Sequence, residues 1–189
     1  MSAELGDLVR RLAQLLDAAA IPFMIAGSFA STAHGLPRTT QDLDLVIDPP
    51  SEGTVEALLR SISTDRYYVD ADAARDAFQR RSMFNVIDLA SGWKIDLIVR
   101  KDRPFSRQEF ARRIEMTVLG VVVFVASPED TIVAKLEWSK LAGGSERQRR
   151  DVAGVIATVG SPLDRAYVER WVRDLELSVE WEAAKTTPL

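Results

Sequence analysis

The chain has 189 residues, with 24 Lys and Arg against 28 Asp and Glu, a net charge of −4 and no Cys. That length suits one sizeable domain, or one domain with a small appendage. The lack of Cys excludes disulfides, thiol nucleophiles and Cys-ligated zinc, and the negative balance gives no bulk attraction to nucleic acid.

The elements follow in chain order. Leu5, Leu8, Leu12, Leu15 and Leu16 recur at helical spacing and predict an amphipathic helix over 4–19, with Glu4, Asp7, Arg10 and Arg11 among its polar residues. It does not read as a signal peptide. No apolar run reaches the roughly 20 residues that cross a bilayer, so the expectation is a cytoplasmic protein with no membrane partner. Pro22 ends the helix, 23–26 reads as a strand, and 28–34 as a short helix stopped by a left-handed Gly35. Residues 43–47 form a second strand, closed by Pro49-Pro50. A helix from Ser51 carries Val55, Leu58, Leu59 and Ile62, and a short helix is expected over 72–80. Residues 83–89 and 93–99 read as an antiparallel hairpin around Ala90-Ser91-Gly92. A helix over 106–113 follows. Gly120, between Val118-Leu119 and 121–125, marks either a further strand or a Gly-turned pair. Ser127-Pro128-Glu129-Asp130 has the Ser cap, first-position Pro and third-position acid of a helix start. Ser145 and Ser161 repeat the capping logic, so 127 onward reads as three helices and a fourth segment. No linker is evident, and the division falls near 126.

The densest information lies between Gly27 and Leu45: Gly-Ser, thirteen residues, then Asp42-Leu43-Asp44-Leu45. Residues two apart on a strand share a face, so Asp42 and Asp44 point one way while Leu43, Leu45 and Ile47 point to the core. Two carboxylates side by side repel unless a cation joins them or one takes a proton. Oxygen donors of this kind suit Mg²⁺, which uses few carboxylates and shares its coordination with substrate phosphates. In Trp93–Val99, Asp96 lies on the face opposite Ile95, Leu97 and Val99, and a charge inside an apolar strand needs a partner. That partner is either a cation at a reactive centre or a salt bridge in the neighbourhood of Lys94. Asp88, on the adjoining strand, competes for the same role. Gly27 permits the turn and close approach of a phosphate. Ser28 is either an N-cap or a phosphate contact, and the two are compatible. Arg38 is placed to grip a phosphate bidentately or to neutralise the carboxylates. His34, the single His, reads as a helix-end residue.

The combination of Gly27-Ser28, His34-Gly35, Pro37-Arg38, Thr40 and Asp42-Leu43-Asp44-Leu45 resembles the nucleotidyltransferase (polymerase-beta-like) superfamily, and within it the AbiEii-type toxin branch. The resemblance covers the first two-thirds of the chain well and the last third loosely. It implies an α/β (α+β) fold: a mixed-sheet nucleotidyltransferase core over 1–126 and a C-terminal helical segment over 127–189. It implies that Gly27, Ser28, Arg38 and Thr40 bind the nucleotide, that Asp42 and Asp44 bind Mg²⁺ or Mn²⁺, and that Asp96 joins the metal site or deprotonates the acceptor. In that branch a Lys-Leu helix and an Arg-Asp pair contribute to the active site. Lys135 and Asp151 match those positions, with Lys135 expected on the triphosphate. From the residues alone, Lys135 reads equally as solvated and Asp151 as the i,i+4 partner of Arg147. Gly154 departs from the pattern, standing where a further Asp is common.

The expected reaction moves a nucleoside monophosphate from a triphosphate to a hydroxyl. The expected acceptor is an RNA 3′ end, tRNA above all, with a cognate antitoxin as a possible protein partner in the manner of that branch. The alternatives are an antibiotic-like small molecule, a protein side chain, or a non-catalytic toxin–antitoxin partner of the same fold. Two basic runs support RNA: 94–113 with seven Lys and Arg, and Arg147/Arg149/Arg150. Either run reads equally as a solvated face.

Overall fold

A computed structural model describes residues 2–189, with side chains from residue 4 onward. The chain forms two compact units. One runs through Ile25 and resumes at Gln41–Val125; the other comprises Ala26–Thr40 and Ala126–Leu189.

The first unit is built on a seven-stranded mixed sheet. Its strands are β1 (Phe23–Ile25), β2 (Asp42–Ile47), β3 (Tyr67–Val69), β4 (Met83–Asp88), β5 (Lys94–Val99), β6 (Ile114–Val118) and β7 (Val121–Val125). They lie in the order β3-β4-β5-β2-β1-β7-β6. β2 and β5 run parallel and in register, Asp42 beside Lys94 and Asp44 beside Asp96. β1 is antiparallel to β2 and parallel to β7. The inner face follows from the alternation: Leu43, Leu45 and Ile47 of β2 and Ile95, Leu97 and Val99 of β5 are all buried. Four helices belong to this unit: α1 (Ser2–Ala18), α3 (Glu52–Ser61), α4 (Ala71–Arg80) and α5 (Pro104–Ala111). α1 buries Leu8, Leu12 and Leu16 and packs on β7 and α3. The hairpin over 83–99 forms as expected. Gly120 turns a strand pair, with Leu119 and Gly120 both left-handed at φ 52° and 76°.

The second unit is helical: α2 (Gly27–His34), α6 (Pro128–Leu141), α7 (Glu146–Val159), α8 (Arg165–Asp174) and α9 (Ser178–Lys185). α2 packs against α6 and α7, and Ile132, Val133, Leu136, Val152, Val155 and Val168 form its core.

Several details differ from the expectations. β3 was not foreseen, since three residues carry too little alternation to register as a strand. Gly35 is not left-handed; its φ is −138°. Glycine is needed there for space. A Cβ would stand 2.8 Å from the Ser31 carbonyl oxygen and 2.9 Å from the Val155 nitrogen. Gly154 is the other half of this approach: its Cβ would lie 3.3 Å from the Leu36 nitrogen, so α2 and α7 cross at two glycines. Ser145 flanks α7 without a side-chain cap bond, whereas Ser127 accepts the Asp130 N–H at 3.2 Å. α8 starts after Asp164, which caps it through Tyr167 N–H, rather than at Ser161. α5 opens at Pro104, two residues before the expected start.

Candidate active site

β2 and β5 present a carboxylate face. Asp42 and Asp44 share the outer side of β2, half-exposed to exposed, while the intervening Leu43 is fully buried. Asp96 stands beside Asp44 on β5 and is 7% exposed. Its carboxylate is held from two directions. The Lys94 ammonium lies 3.0 Å from each oxygen, and the Asn85 amide of β4 donates to Oδ1. The alternative partner weighed for Asp96, a salt bridge to Lys94, is present. Lys94 in turn is held above the usual lysine pKa: its hydrogen bond to Asp96 outweighs partial burial, and the charges of Asp96, Asp42 and Asp44 add to it. All three carboxylates thus act on one ammonium. Asn85 was missed in the sequence. The hairpin register would have found it, because pairing Asp88 with Trp93 across the turn sets Asn85 opposite Asp96.

Asp88 lies on the other face of β4, with Phe84 and Val86. It is fully buried and pairs with Arg11 at 3.1 Å and Arg66 at 3.5 Å, while its Oδ1 accepts the Ala90 N–H at 3.0 Å. Its position closes the hairpin and anchors α1; it does not face Asp42 and Asp44.

In the helical unit, four of the expected residues form one polar chain. Ser28, second in α2, is buried, and its hydroxyl accepts from the Arg38 guanidinium. It is not the N-cap: Ala26 holds that position and makes no side-chain bond. Gly27, at φ 57°, turns β1 into the helix, a conformation that costs glycine little. Arg38 Nε also lies 3.0 Å from Asp151 Oδ1. Lys135, 4% exposed rather than solvated, places its ammonium 2.7 Å from Asp151 Oδ2. Asp151 thus positions two cations rather than pairing with Arg147 at i,i+4. Beside it opens a cavity of about 450 Å³ lined by Leu36, Pro37, Arg38, Arg147, Arg150 and Asp151 among others. Thr40 is half-buried in the segment leading to β2. His34 Nε2 bonds the Ala126 carbonyl at 2.8 Å, and burial lowers its pKa, which favours the neutral ring.

The basic run over 94–113 is largely taken up locally. Arg100 pairs with Asp48 at 2.9 Å and Arg107 with Asp102 at 2.7 Å, and Arg113 stacks on Phe110 and Phe124. Arg150 pairs with Glu146 at 2.9 Å, and Arg147 is exposed.

Among the described residues no group of three or more His, Asp or Glu side chains is gathered to hold a metal ion by itself. Mg²⁺ does not demand one, since one or two carboxylates with substrate phosphates and waters complete its shell. The donor set fits: carboxylate oxygens two residues apart on one strand, a third in register on the next, and one ammonium feeling all three charges.

No family model and no curated protein matches this sequence. Solved structures match its fold. The antibiotic-resistance factor ANT(2'')-Ia overlays with a TM-score of 0.61 at 16% identity, covering 96% of this chain and 98% of its own. That protein has also been solved in complex with adenylyl-2''-tobramycin. An antigenic nucleotidyltransferase-like protein from Paracoccidioides brasiliensis gives 0.58 at 22% identity, over 95% and 93% of the two chains. The lincosamide antibiotic adenylyltransferase LnuA, lincomycin-bound, gives 0.53 at 9%, over 78% and 93%. The chain therefore has the mixed α/β fold of these nucleotidyltransferases. No helix among the described residues is long and apolar enough to cross a membrane.

Proposed function

We propose that this chain transfers a nucleoside monophosphate from a nucleoside triphosphate to an acceptor hydroxyl, releasing pyrophosphate. The observation that carries the reading is the placement of Asp42, Asp44 and Asp96 on one face of two in-register parallel strands. Clustered carboxylates cost stability unless a cation joins them, and although the Lys94 ammonium is held beside Asp96, a face carrying three carboxylates still suits a divalent ion. Asp42 and Asp44 would hold the divalent ion, Mg²⁺ or Mn²⁺. When bound, that ion neutralises phosphate charge and favours in-line displacement. Asp96 accepts the proton of the acceptor hydroxyl. The hydroxyl oxygen bonds to the α-phosphorus as the bond to the bridging oxygen of pyrophosphate breaks. Ser28, the first N–H groups of α2, Arg38 and Lys135 hold the triphosphate. Asp151 keeps both cations oriented at 3.0 and 2.7 Å. Gly27 allows close approach of the phosphates, and Thr40 joins the nucleotide contacts.

The acceptor we favour is a small hydroxylated molecule. The basic run over 94–113, which would serve as an RNA track, is mostly engaged in local pairs and stacks. Of the proteins sharing the fold, one is an antibiotic adenylyltransferase by name and another is an antibiotic-resistance factor solved with adenylyl-2''-tobramycin, and this chain spans nearly the full length of the latter. A second reading, an RNA 3′ end such as tRNA in the manner of the AbiEii-type branch, is favoured by Arg147 and Arg150 lining the cavity. Incubation with Mg²⁺, each α-labelled triphosphate, total RNA and a panel of hydroxylated antibiotics tests both. Labelled small-molecule product supports the first, and labelled RNA the second. No label on any acceptor, with no release of pyrophosphate, would leave a non-catalytic partner protein of this fold, such as an antitoxin-bound form.

A further inference from the structure

The carboxylate face carries a cation of its own. Lys94 lies two residues before Asp96 on β5 and is the register partner of Asp42 across the β2–β5 pair. Residues two apart on a strand, and residues directly paired between strands, project to the same side. Its ammonium is 3.0 Å from both oxygens of Asp96. Asp42 and Asp44 also act on it electrostatically. Lys94 thus stands among three carboxylates. An isolated surface pair of this kind contributes little. Here the ammonium is held against Asp96 and lies in the field of Asp42 and Asp44 as well, the position a divalent ion would take.

We infer that Lys94 is a tethered counter-cation that competes with the divalent ion for the carboxylate face, so that ion binding displaces its ammonium from Asp96. The inference rests on the proposed metal-dependent reading. Lys94 is a positioning residue here, holding Asp96 together with Asn85 and setting how tightly the face takes an ion. It makes affinity for the bare ion low, so the ion is retained chiefly when substrate phosphates arrive with it.

The test is Mn²⁺ binding to the intact protein without nucleotide, followed by the electron-paramagnetic signal of free Mn²⁺ at fixed pH and ionic strength. Wild type, Lys94→Met, Lys94→Arg, Asp44→Asn and Lys101→Met are compared; exposed Lys101 controls for the unit change in net charge. The expected result is about tenfold tighter binding in Lys94→Met, equivalent to about 1.4 kcal/mol. Lys94→Arg and Lys101→Met should stay within about twofold of wild type on the same scale. In EDTA, Lys94→Met should melt below wild type, and Mn²⁺ should restore it. Should Lys94→Met fail to fold, Lys94→Gln keeps a neutral donor to Asp96 and carries the same expectation. Equal or weaker Mn²⁺ binding in the neutral variants, with wild type still binding better than Asp44→Asn, overturns the role of Lys94 alone. Wild type binding no better than Asp44→Asn overturns the metal reading itself, and the inference with it.

Discussion

Replacing Asp88 separates a carboxylate that holds the fold from those assigned to chemistry. Asp88 is fully buried between Arg11 at 3.1 Å and Arg66 at 3.5 Å. Removing one partner of a fully buried pair costs about 3–5 kcal/mol. Here the two arginine side chains are 31% and 41% exposed, so both rehydrate when the carboxylate is lost. Arg11 also keeps its bond to the Tyr67 hydroxyl at 3.2 Å. Asn retains an oxygen for the Ala90 N–H, so the hairpin closure survives. The expected cost of Asp88→Asn is therefore about 1–3 kcal/mol, the range of a lost charge-assisted hydrogen bond. For a chain of this size that is a fall in melting temperature of roughly 2–12 °C. Asp88→Ala, which also deletes the turn acceptor, should cost more. Urea unfolding measures the loss, and pyrophosphate release per folded molecule measures activity. Asp88→Asn should keep its turnover, while Asp96→Asn loses turnover and stays folded. If Asp88→Asn is as stable as wild type but inactive, the third catalytic carboxylate is Asp88 and the assignment of Asp96 fails.

Gly35→Ala should destabilise by about 1–3 kcal/mol in chemical denaturation, because all three atoms its Cβ would meet within about 3 Å are backbone and cannot turn aside. Gly53→Ala, in the open first turn of α3, should be neutral or stabilising by up to about 1 kcal/mol; two variants of the same sign would refute the packing argument. Burial depresses the His34 pKa below its usual 6.5, so its stabilising contribution is complete above pH 6.5 and is lost as pH falls through the shifted value. His34→Gln can still donate to the Ala126 carbonyl and should flatten the acid-side slope of unfolding free energy; an unchanged slope would assign that slope to other groups. Lys135→Met leaves buried Asp151 to rely on Arg38. It should cost about 1–3 kcal/mol and weaken triphosphate binding measured by calorimetry, and unaltered nucleotide affinity would remove Lys135 from the phosphate site.

Strand alternation alone determined which faces Asp42, Asp44 and Asp96 take, because a period of two is local and leaves one choice once Leu43, Leu45, Ile95 and Leu97 must be inside. The hairpin over 83–99 was legible for the same reason, and its register already implied Asn85. Caps that use a side-chain oxygen three residues before an acid, as at Ser127, were equally local. The parallel pairing of β2 with β5 was not local: 52 residues separate Asp44 from Asp96, and nothing short-range states their register. The burial of Lys135 and its shared partner also lay out of reach, since Arg38 and Asp151 are 113 positions apart. Residues 26–40 follow β1 along the chain yet group with the helical unit. The reason is steric. Gly35 and Gly154 each lack the one atom that would hold α2 and α7 apart, and that absence acquires meaning only when the two backbones meet.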